Sequence, residues 1–359
     1  MPRVSVVIPA YNHEKYIAGT IQSVLDQTYG DFEIVLVDDA STDGTPGIIK
    51  RFHDPRLKAF YLETNRGASA AASMCVQESA GEYVAFLNSD DQFFPDKLEK
   101  QVRFLDAHPH VGALFGYAHI VDDAGRELRD VGHPYRTIFI KENRTRFQWL
   151  AHFFHVGNCL CHSSAMIRRT CYEKVGLYDK RYFQLPDFDL WVRLCLKYEI
   201  HVVPEDLVRF RVRKDRAGVS ADSPDARVRK VWEVSRILDN YLRIRDPGDF
   251  LKVFPEADKF HYEITPELTP FILALIAMDT GKASHRLFAM NTLYDLLAEE
   301  ETAALIRGAC GFSHKDLCRL AGECDLFNIL PMERINRLLN TAPGRAARKI
   351  YRLKKRIIK

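Results

Sequence analysis

The first third of the chain alternates between two hydrophobic rhythms. Val4–Ile8 is a short β-branched run closed by Pro9, which predicts a buried strand. From His13 to Gln27 the apolar positions take helical spacing, with Ile17, Ile21, Val24 and Leu25 on one face. The pattern then repeats. Phe32–Val37 reads as a strand, and Thr42–Phe52 as a helix opened by Ser, Thr and Asp cap candidates. Leu57–Leu62 is a strand, Gly67–Ser79 an Ala-rich helix, Tyr83–Leu87 a strand, and Pro95–Ala107 a helix with proline in its first turn. Such alternation predicts right-handed β-α-β units and a mainly parallel sheet flanked by helices.

Beyond residue 110 the pattern is mixed. Val111–Val121 and Ser163–Ile167 read as strands, the second running into Arg168 and Arg169. Thr170–Val175 is a short helix, and Asp187–Lys197 a helix whose apolar face carries Leu190, Trp191, Leu194 and Cys195. His201–Val203 and Leu207–Val212 read as strands that finish the sheet. A Gly, Ser, Pro and Asp stretch over 218–225 then marks a boundary. After it the spacing predicts helices over Ala226–Leu242, Pro266–Thr280, Ser284–Glu300, Lys315–Glu323 and Glu333–Leu339. The expected organisation is an α/β domain over 1–220, a smaller all-helical domain over 221–343, and a tail helix over 344–359.

Composition changes this picture little. Apolar residues make 47% and charged residues 28% of the chain, which excludes a disordered protein. A net charge of +3 creates no field that selects nucleic acid. The charge is unevenly placed, however. Gly344–Lys359 holds eight Lys or Arg and no acid, with Ala346, Ile350, Leu353 and Ile357 as an apolar stripe at helical spacing. A basic amphipathic helix of this kind can lie on anionic lipid; a solvated or packed terminal helix, or a contact in a homo-oligomer, is the plainer alternative. The eight cysteines include no C-x-x-C pair, so zinc is unsupported and reduced, mostly buried thiols are expected. The chain opens on a strand pattern rather than a charged and then apolar leader. Its longest later apolar run, Phe271–Met278, falls far short of the roughly 20 residues of a membrane span. The expectation is a cytoplasmic protein that at most touches the inner face of the membrane.

In a parallel α/β sheet, ligands bind beyond the carboxyl ends of the strands. Polar residues collect at those ends here: Pro9-Ala10-Tyr11-Asn12, Asp38–Gly44, Asn65-Arg66-Gly67 and Asn88-Ser89-Asp90-Asp91. The edge carries no G-x-G-x-x-G dinucleotide turn, no phosphate-binding G-x-x-x-x-G-K-[ST] loop and no G-x-S-x-G elbow. What it carries is acidic. Carboxylates on a tight turn suit a hard cation such as Mg2+ or Mn2+, which keeps positions open for substrate phosphates. The plain alternative for Asn88–Asp91 is a turn leading into the helix that Pro95 opens.

Three segments in order, Val4–Asn12, Val37–Thr45 and Gly81–Asp91, resemble the family-2 glycosyltransferases of the GT-A fold, a Rossmann-like α/β architecture. The resemblance spans about the first 215 residues. It implies an enzyme that transfers a sugar from a nucleotide-sugar, most simply UDP-linked, to a hydroxyl of a glycan or lipid-linked acceptor, as in surface polysaccharide synthesis. Carried over by position, Pro9, Ala10 and Tyr11 line the nucleoside pocket. Asp39 accepts a hydrogen bond from base or ribose with Asp38 in support, and Arg66 contacts base or phosphate. Asp90 holds the Mn2+ or Mg2+ that bridges the diphosphate. Asp91 sits at the metal or the donor sugar, and Ser89 lies against the donor nucleotide. The family usually has Asp where this chain has Asn88, which keeps an amide oxygen for the metal but loses a charge.

The family's base is the Asp of a Glu-Asp pair before a helix. Asp187 matches it, while Pro186 replaces the Glu. Asp187 would take the acceptor's proton as its oxygen attacks, and a single displacement would invert the anomeric centre. Asp189 is the alternative base. Arg213 stands near a position where the family often has His, and could hold the diphosphate; a charged strand end is the other reading of Arg211 and Arg213. His162 reads as a packed or surface residue more readily than a catalytic one, and Trp191 as core. Asn88 and Pro186 also motivate a competing reading, a non-catalytic nucleotide- or glycan-binding module that kept the fold. A nucleotidyltransferase lacks its Gly-rich basic loop here.

Overall fold

The computed structural model describes residues 1–128, 133, 135–213 and 223–326. The chain divides into two compact units, Met1–Pro255 and Glu256–Lys359. In the first, strands β1 (Val4–Ala10), β2 (Phe32–Asp38), β3 (Leu57–Tyr61), β4 (Tyr83–Phe86), β5 (Gln92–Phe93), β6 (Val111–Val121), β7 (Met166–Arg168) and β8 (Glu199–Arg211) form one sheet in the order β3-β2-β1-β4-β7-β6-β8-β5. β1, β2, β3 and β4 are mutually parallel, as the alternation predicts. β7 reverses direction against both β4 and β6, which makes the sheet mixed.

Helices α1 (Ile17–Leu25), α2 (Thr45–Ile49), α3 (Ala68–Glu78) and α4 (Lys97–Ala107) fill the crossovers. Each turns an apolar stripe inward: Ile17, Ile21 and Val24 of α1, and Leu98, Val102 and Leu105 of α4, are buried with the inner faces of β1 and β2. α3 uses small residues, Ala71, Ala72 and Cys75, so that it lies close to β1 and β2. The remaining helices of this unit are α5 (Tyr135–Ile138), α6 (Arg146–His155), α7 (Arg169–Val175), α8 (Pro186–Cys195), α9 (Pro224–Leu238) and α10 (Pro247–Val253).

Three expectations need correction. The two short strands expected over 201–212 are one strand, β8. Its register against β6 slips between Gly116 and Tyr117, opposite Val203 and Asp206, so Pro204 lies in a bulge where its missing N–H costs nothing. The strand expected over Ser163–Ile167 begins as a 3-10 turn, His162–Ser164, before β7. The boundary expected at residue 220 falls at Pro255, because the helices that follow it are tied into the α/β unit. Tyr241 donates to the Leu150 carbonyl, Asn240 to Asp189, and Arg146 of α6 pairs with Asp249 of α10 at 3.1 Å.

The second unit is helical among its described residues: α11 (Thr269–Asp279), α12 (Ala283–Ala298), α13 (Glu300–Cys310) and α14 (His314–Glu323). α12 matches the helix expected over Ser284–Glu300, and α13 has no counterpart among the expected helices. The chain leaves α12 at Glu299, which is extended, and restarts at once. The helix expected over Glu333–Leu339 and the basic tail over 344–359 lie outside the described residues. No helix among the described residues is long and apolar enough to cross a membrane. The eight cysteines are all unbridged, and five of them are buried.

Candidate active site

The carboxyl ends of β1, β2 and β4 bring the predicted acidic segments to one edge. The loops after β1 and β2 are laced together. Asn12 donates its N–H to Ser41 Oγ at 2.9 Å and accepts the Thr42 N–H at 2.8 Å; His13 N–H binds Thr45 Oγ1, and Glu14 accepts the Gly44 N–H. Asn12 and Ala40 hold left-handed backbone, φ 52° and 58°, a conformation that Asn tolerates and that is costly for Ala. Strained backbone held by a dense bond network is a mark of functional loops.

Pro9 and Ala10 end β1, and Tyr11 is exposed beside them. Asp39 is buried, and its oxygens accept the Arg66 N–H at 2.7 Å and the Gly67 N–H at 2.8 Å. It therefore pins the turn before α3, where Gly67 takes φ 88°. Arg66 itself has an exposed side chain. Asp38 is equally buried; its Oδ2 accepts the Ser41 N–H, while Oδ1 has no hydrogen-bond partner. The open buried acceptor thus lies on Asp38, the residue expected only in support. An unpaired buried acceptor is costly unless a ligand completes it.

The β4 turn forms the second cluster. Asp91 is buried and accepts from Ser163 Oγ at 2.6 Å, the Arg211 N–H at 2.9 Å and the Asn88 amide at 3.2 Å. Burial, and then the charge of Asp90, hold its carboxyl well above the usual range. Asp91 is thereby a keystone of the turn. Ser89 is buried with its hydroxyl 2.6 Å from His13 Nδ1. Arg213 donates to His13 Nε2 at 2.6 Å, and its Nη1 lies 3.8 Å from Asp90 Oδ2. His13 thus accepts at Nε2 and donates from Nδ1, the tautomer of a neutral ring. Arg211, mostly buried, donates to the carbonyls of Asp90, Asp122 and Asp123 and lies over the Tyr16 ring.

No group of three His, Cys, Asp or Glu among the described residues could hold a metal ion by itself. Asp91 is committed to the turn, which leaves the Asp90 carboxylate and the Asn88 amide oxygen as donors. That set fits a hard cation held jointly with substrate phosphates and water, the habit of Mg2+. It does not fit a metal caged by protein alone.

The third cluster lies at the start of α8. Asp187 is partly buried; its Oδ2 accepts from the Asn158 amide and its Oδ1 from the Phe188 N–H, both at 2.8 Å. Burial raises its carboxyl to about 6, against the lowering effect of those two bonds. Asp189 is fully committed. It is buried, with Oδ2 on Arg193 Nε at 2.8 Å and Oδ1 on the Asn240 amide at 3.0 Å. His162 stacks on Phe86, meets Trp191 edge-on and bonds the Tyr178 hydroxyl at 2.8 Å; burial lowers it to about 3, so it is a neutral core residue. Trp191 is core as well, edge-on to Phe115.

One short segment links the second and third clusters. Asn158 holds Asp187 at its beginning, and Ser163 holds Asp91 at its end. Five residues of chain reach no more than about 18 Å. Asn158 and His13 carry no motif of their own, and nothing in the sequence pairs Ser163 with Asp91.

The pattern of glycosyl transferase family 2 matches residues 5–176, which end before Asp187, Arg211 and Arg213. A protein named as a glycosyltransferase, EpsE of Bacillus subtilis strain 168, is 34% identical over 229 residues, 59% of this chain and 76% of that protein. TuaG of the same organism, named for teichuronic acid biosynthesis, is 43% identical over 124 residues, 34% of this chain and 49% of its own length. Among solved structures, S. aureus TarS 1–349 in complex with UDP-GlcNAc superposes with a TM-score of 0.57 at 20% identity, over 80% of this chain and 84% of that one. The mannosyltransferase PcManGT from Pyrobaculum calidifontis, in complex with GDP-Man and Mn2+, gives 0.51 at 21% identity, over 86% and 79%. The fold is thus the GT-A type, and the chain belongs to glycosyltransferase family 2 and is a glycosyltransferase.

Proposed function

We propose that this enzyme moves a sugar from a nucleoside-diphosphate sugar, with UDP favoured, to a hydroxyl of a glycan or lipid-linked acceptor, with inversion and with a divalent cation. The observation that carries the reading is the strap from Asn158 to Ser163. It ties the turn bearing Asp90 to a desolvated carboxylate, Asp187, one at each end. A leaving diphosphate needs positive charge, and an attacking hydroxyl needs a base.

In this reading the loops after β1 and β2 receive the nucleoside, with Tyr11 beside the base and Asp38 Oδ1 completing its hydrogen bonding. Asp39 acts through the Arg66–Gly67 turn. Asp90, with the Asn88 amide oxygen, would hold Mn2+ or Mg2+, which when bound neutralises charge on the diphosphate. Arg213, kept beside Asp90 by His13, adds a guanidinium for phosphate oxygens. Ser89 and Asp91 shape the turn. Asp187 accepts the acceptor's proton, helped by a carboxyl already poised near neutral pH. Asp189 is left a structural part.

UDP is favoured because TarS is solved with UDP and UDP-GlcNAc, and a surface polysaccharide because TuaG is named for teichuronic acid biosynthesis. Work at the inner face of the membrane, through the basic residues 344–359, belongs to the same proposal; deleting them should reduce binding to anionic liposomes.

The test is thermal stability with UDP, GDP, dTDP and CDP, each with and without Mn2+. A ligand at about 100 times its dissociation constant adds about 2.7 kcal/mol to the native state. A Mn2+-dependent rise with UDP is expected. A rise with another nucleotide would replace UDP, and no rise with any of the four would favour a non-catalytic module.

A further inference from the structure

The sequence lacks the acidic residue that the family places before its base; Pro186 stands there instead. A carboxylate nevertheless reaches this place from another helix. Glu233 of α9 is buried, and its two oxygens accept the N–H groups of three successive residues: Phe183 at 2.9 Å, Gln184 at 3.0 Å and Leu185 at 2.8 Å. These residues lead into α8, and Leu185 is its N-cap.

The physics of the arrangement is that of a helix start. The N–H of the N-cap Leu185 has no partner within the helix, those of Phe183 and Gln184 lie just before it, and a helix N-terminus favours negative charge. Leu185 has no side chain that can cap, and Pro186 has no N–H to give. Three convergent donors form a concave anion site, and Glu233 fills it from outside. The turn that carries Asp187 therefore rests on a residue 46 positions away in the chain, beyond the domain boundary expected from sequence.

We propose that Glu233 replaces the acidic partner lost at Pro186 and is the positioning residue of the base, fixing the turn from which Asp187 works. This rests on the reading of Asp187 as the base. Asn158 and the Phe188 N–H bond the Asp187 carboxylate; Tyr135 and Tyr178 feel its charge, and the negative charge of Glu233 adds to the effect of burial on it. Glu233 thus acts on Asp187 both through the backbone and through its charge.

The test compares wild type with Glu233→Gln and Glu233→Asp, using Asp187→Asn to assign the Asp187 signal in carbon-13 carboxyl titrations. Glu233→Gln keeps the size and two acceptor sites on one oxygen but removes the charge. It should fold, keep its UDP and Mn2+ response, and titrate Asp187 at lower pH than wild type. Turnover of the nucleotide sugar should fall at least tenfold with donor KM within about twofold, and the acidic limb of the rate profile should move down with the titration. An unchanged Asp187 titration together with unchanged turnover would overturn the proposal. So would failure of both variants to fold, which would make Glu233 a folding residue only. The titration needs no substrate, so a wild-type protein that turns over no nucleotide sugar would sink the functional reading and leave the link between Glu233 and Asp187 measurable.

Discussion

Asp187 and Asp189 lie two positions apart on the first turn of α8 and end in opposite surroundings. Asp187 accepts from an amide and a backbone N–H, while Asp189 is closed into a pair with Arg193 whose side chains are 4% and 10% exposed. The helical angle between them, about 200°, sends one side chain toward the strap and the other toward the packing of α8 on the segment after α9.

Removing the Asp189 carboxylate would leave the Arg193 guanidinium without its counter-charge. Breaking one side of a buried pair costs about 3–5 kcal/mol. Asp189→Ala should therefore lower stability by that order in chemical denaturation. A loss under about 1 kcal/mol would show that the pair does not carry the packing assigned to it.

Asp187 predicts the reverse. Its carboxyl is raised to about 6 by burial, so the folded state binds the proton more tightly than the unfolded state does. Stability contributed by this group is present below the unfolded value, near 4, and lost as pH rises through about 6. Asp187→Asn should then be more stable than wild type above pH 6, by on the order of 1–2 kcal/mol, with the gain vanishing near pH 4. Activity runs the other way: the base works ionised, so turnover should fall as pH drops below about 6. Melting curves and rates across pH 4–8 check both.

Asp39 holds the turn before α3 through the Arg66 and Gly67 N–H groups. Asp39→Ala would strand the Arg66 and Gly67 N–H groups and should cost about 2–4 kcal/mol, with weaker nucleotide binding following from the displaced loop. Asp38→Asn should leave stability nearly unchanged and weaken nucleotide binding directly. Calorimetric titration beside denaturation separates the two; equal effects on both readouts would contradict the assignment.

Arg213 is held by His13 near Asp90. A hydrogen bond to a charged group contributes about 1.5–3 kcal/mol, so Arg213→Ala should weaken UDP binding in Mn2+ by about tenfold or more. Binding of uridine, which has no phosphate, should be unaffected. A uniform loss for both ligands would mean that the change acts on the loops instead.

Much of the frame was legible in the chain. β1 to β4 and their crossovers follow from apolar periodicity, and the acidic edge from where the runs stop, because both depend on near neighbours in sequence. Motif positions carried the family. The partners of the acidic residues were not legible. Asp91 is held by Ser163 and Arg211, Asp187 by Asn158, and the turn before it by Glu233, pairs set by tertiary closure with no periodic signature. The domain boundary failed for the same reason. A Gly, Ser and Pro stretch marks a turn in the chain, but whether the next helix packs back is decided by residues such as Glu233, Asn240 and Tyr241 far from that turn.

In the proposed reaction Asp187 is the base of a transfer whose donor binds elsewhere on the edge. The direct measurement is release of nucleoside diphosphate from a nucleotide sugar by wild type and Asp187→Asn, with nucleotide affinity measured on the same samples. The rate in the variant should fall by about 10²–10⁴, the range for general base catalysis, with affinity unchanged. Near-normal release by Asp187→Asn would contradict that role.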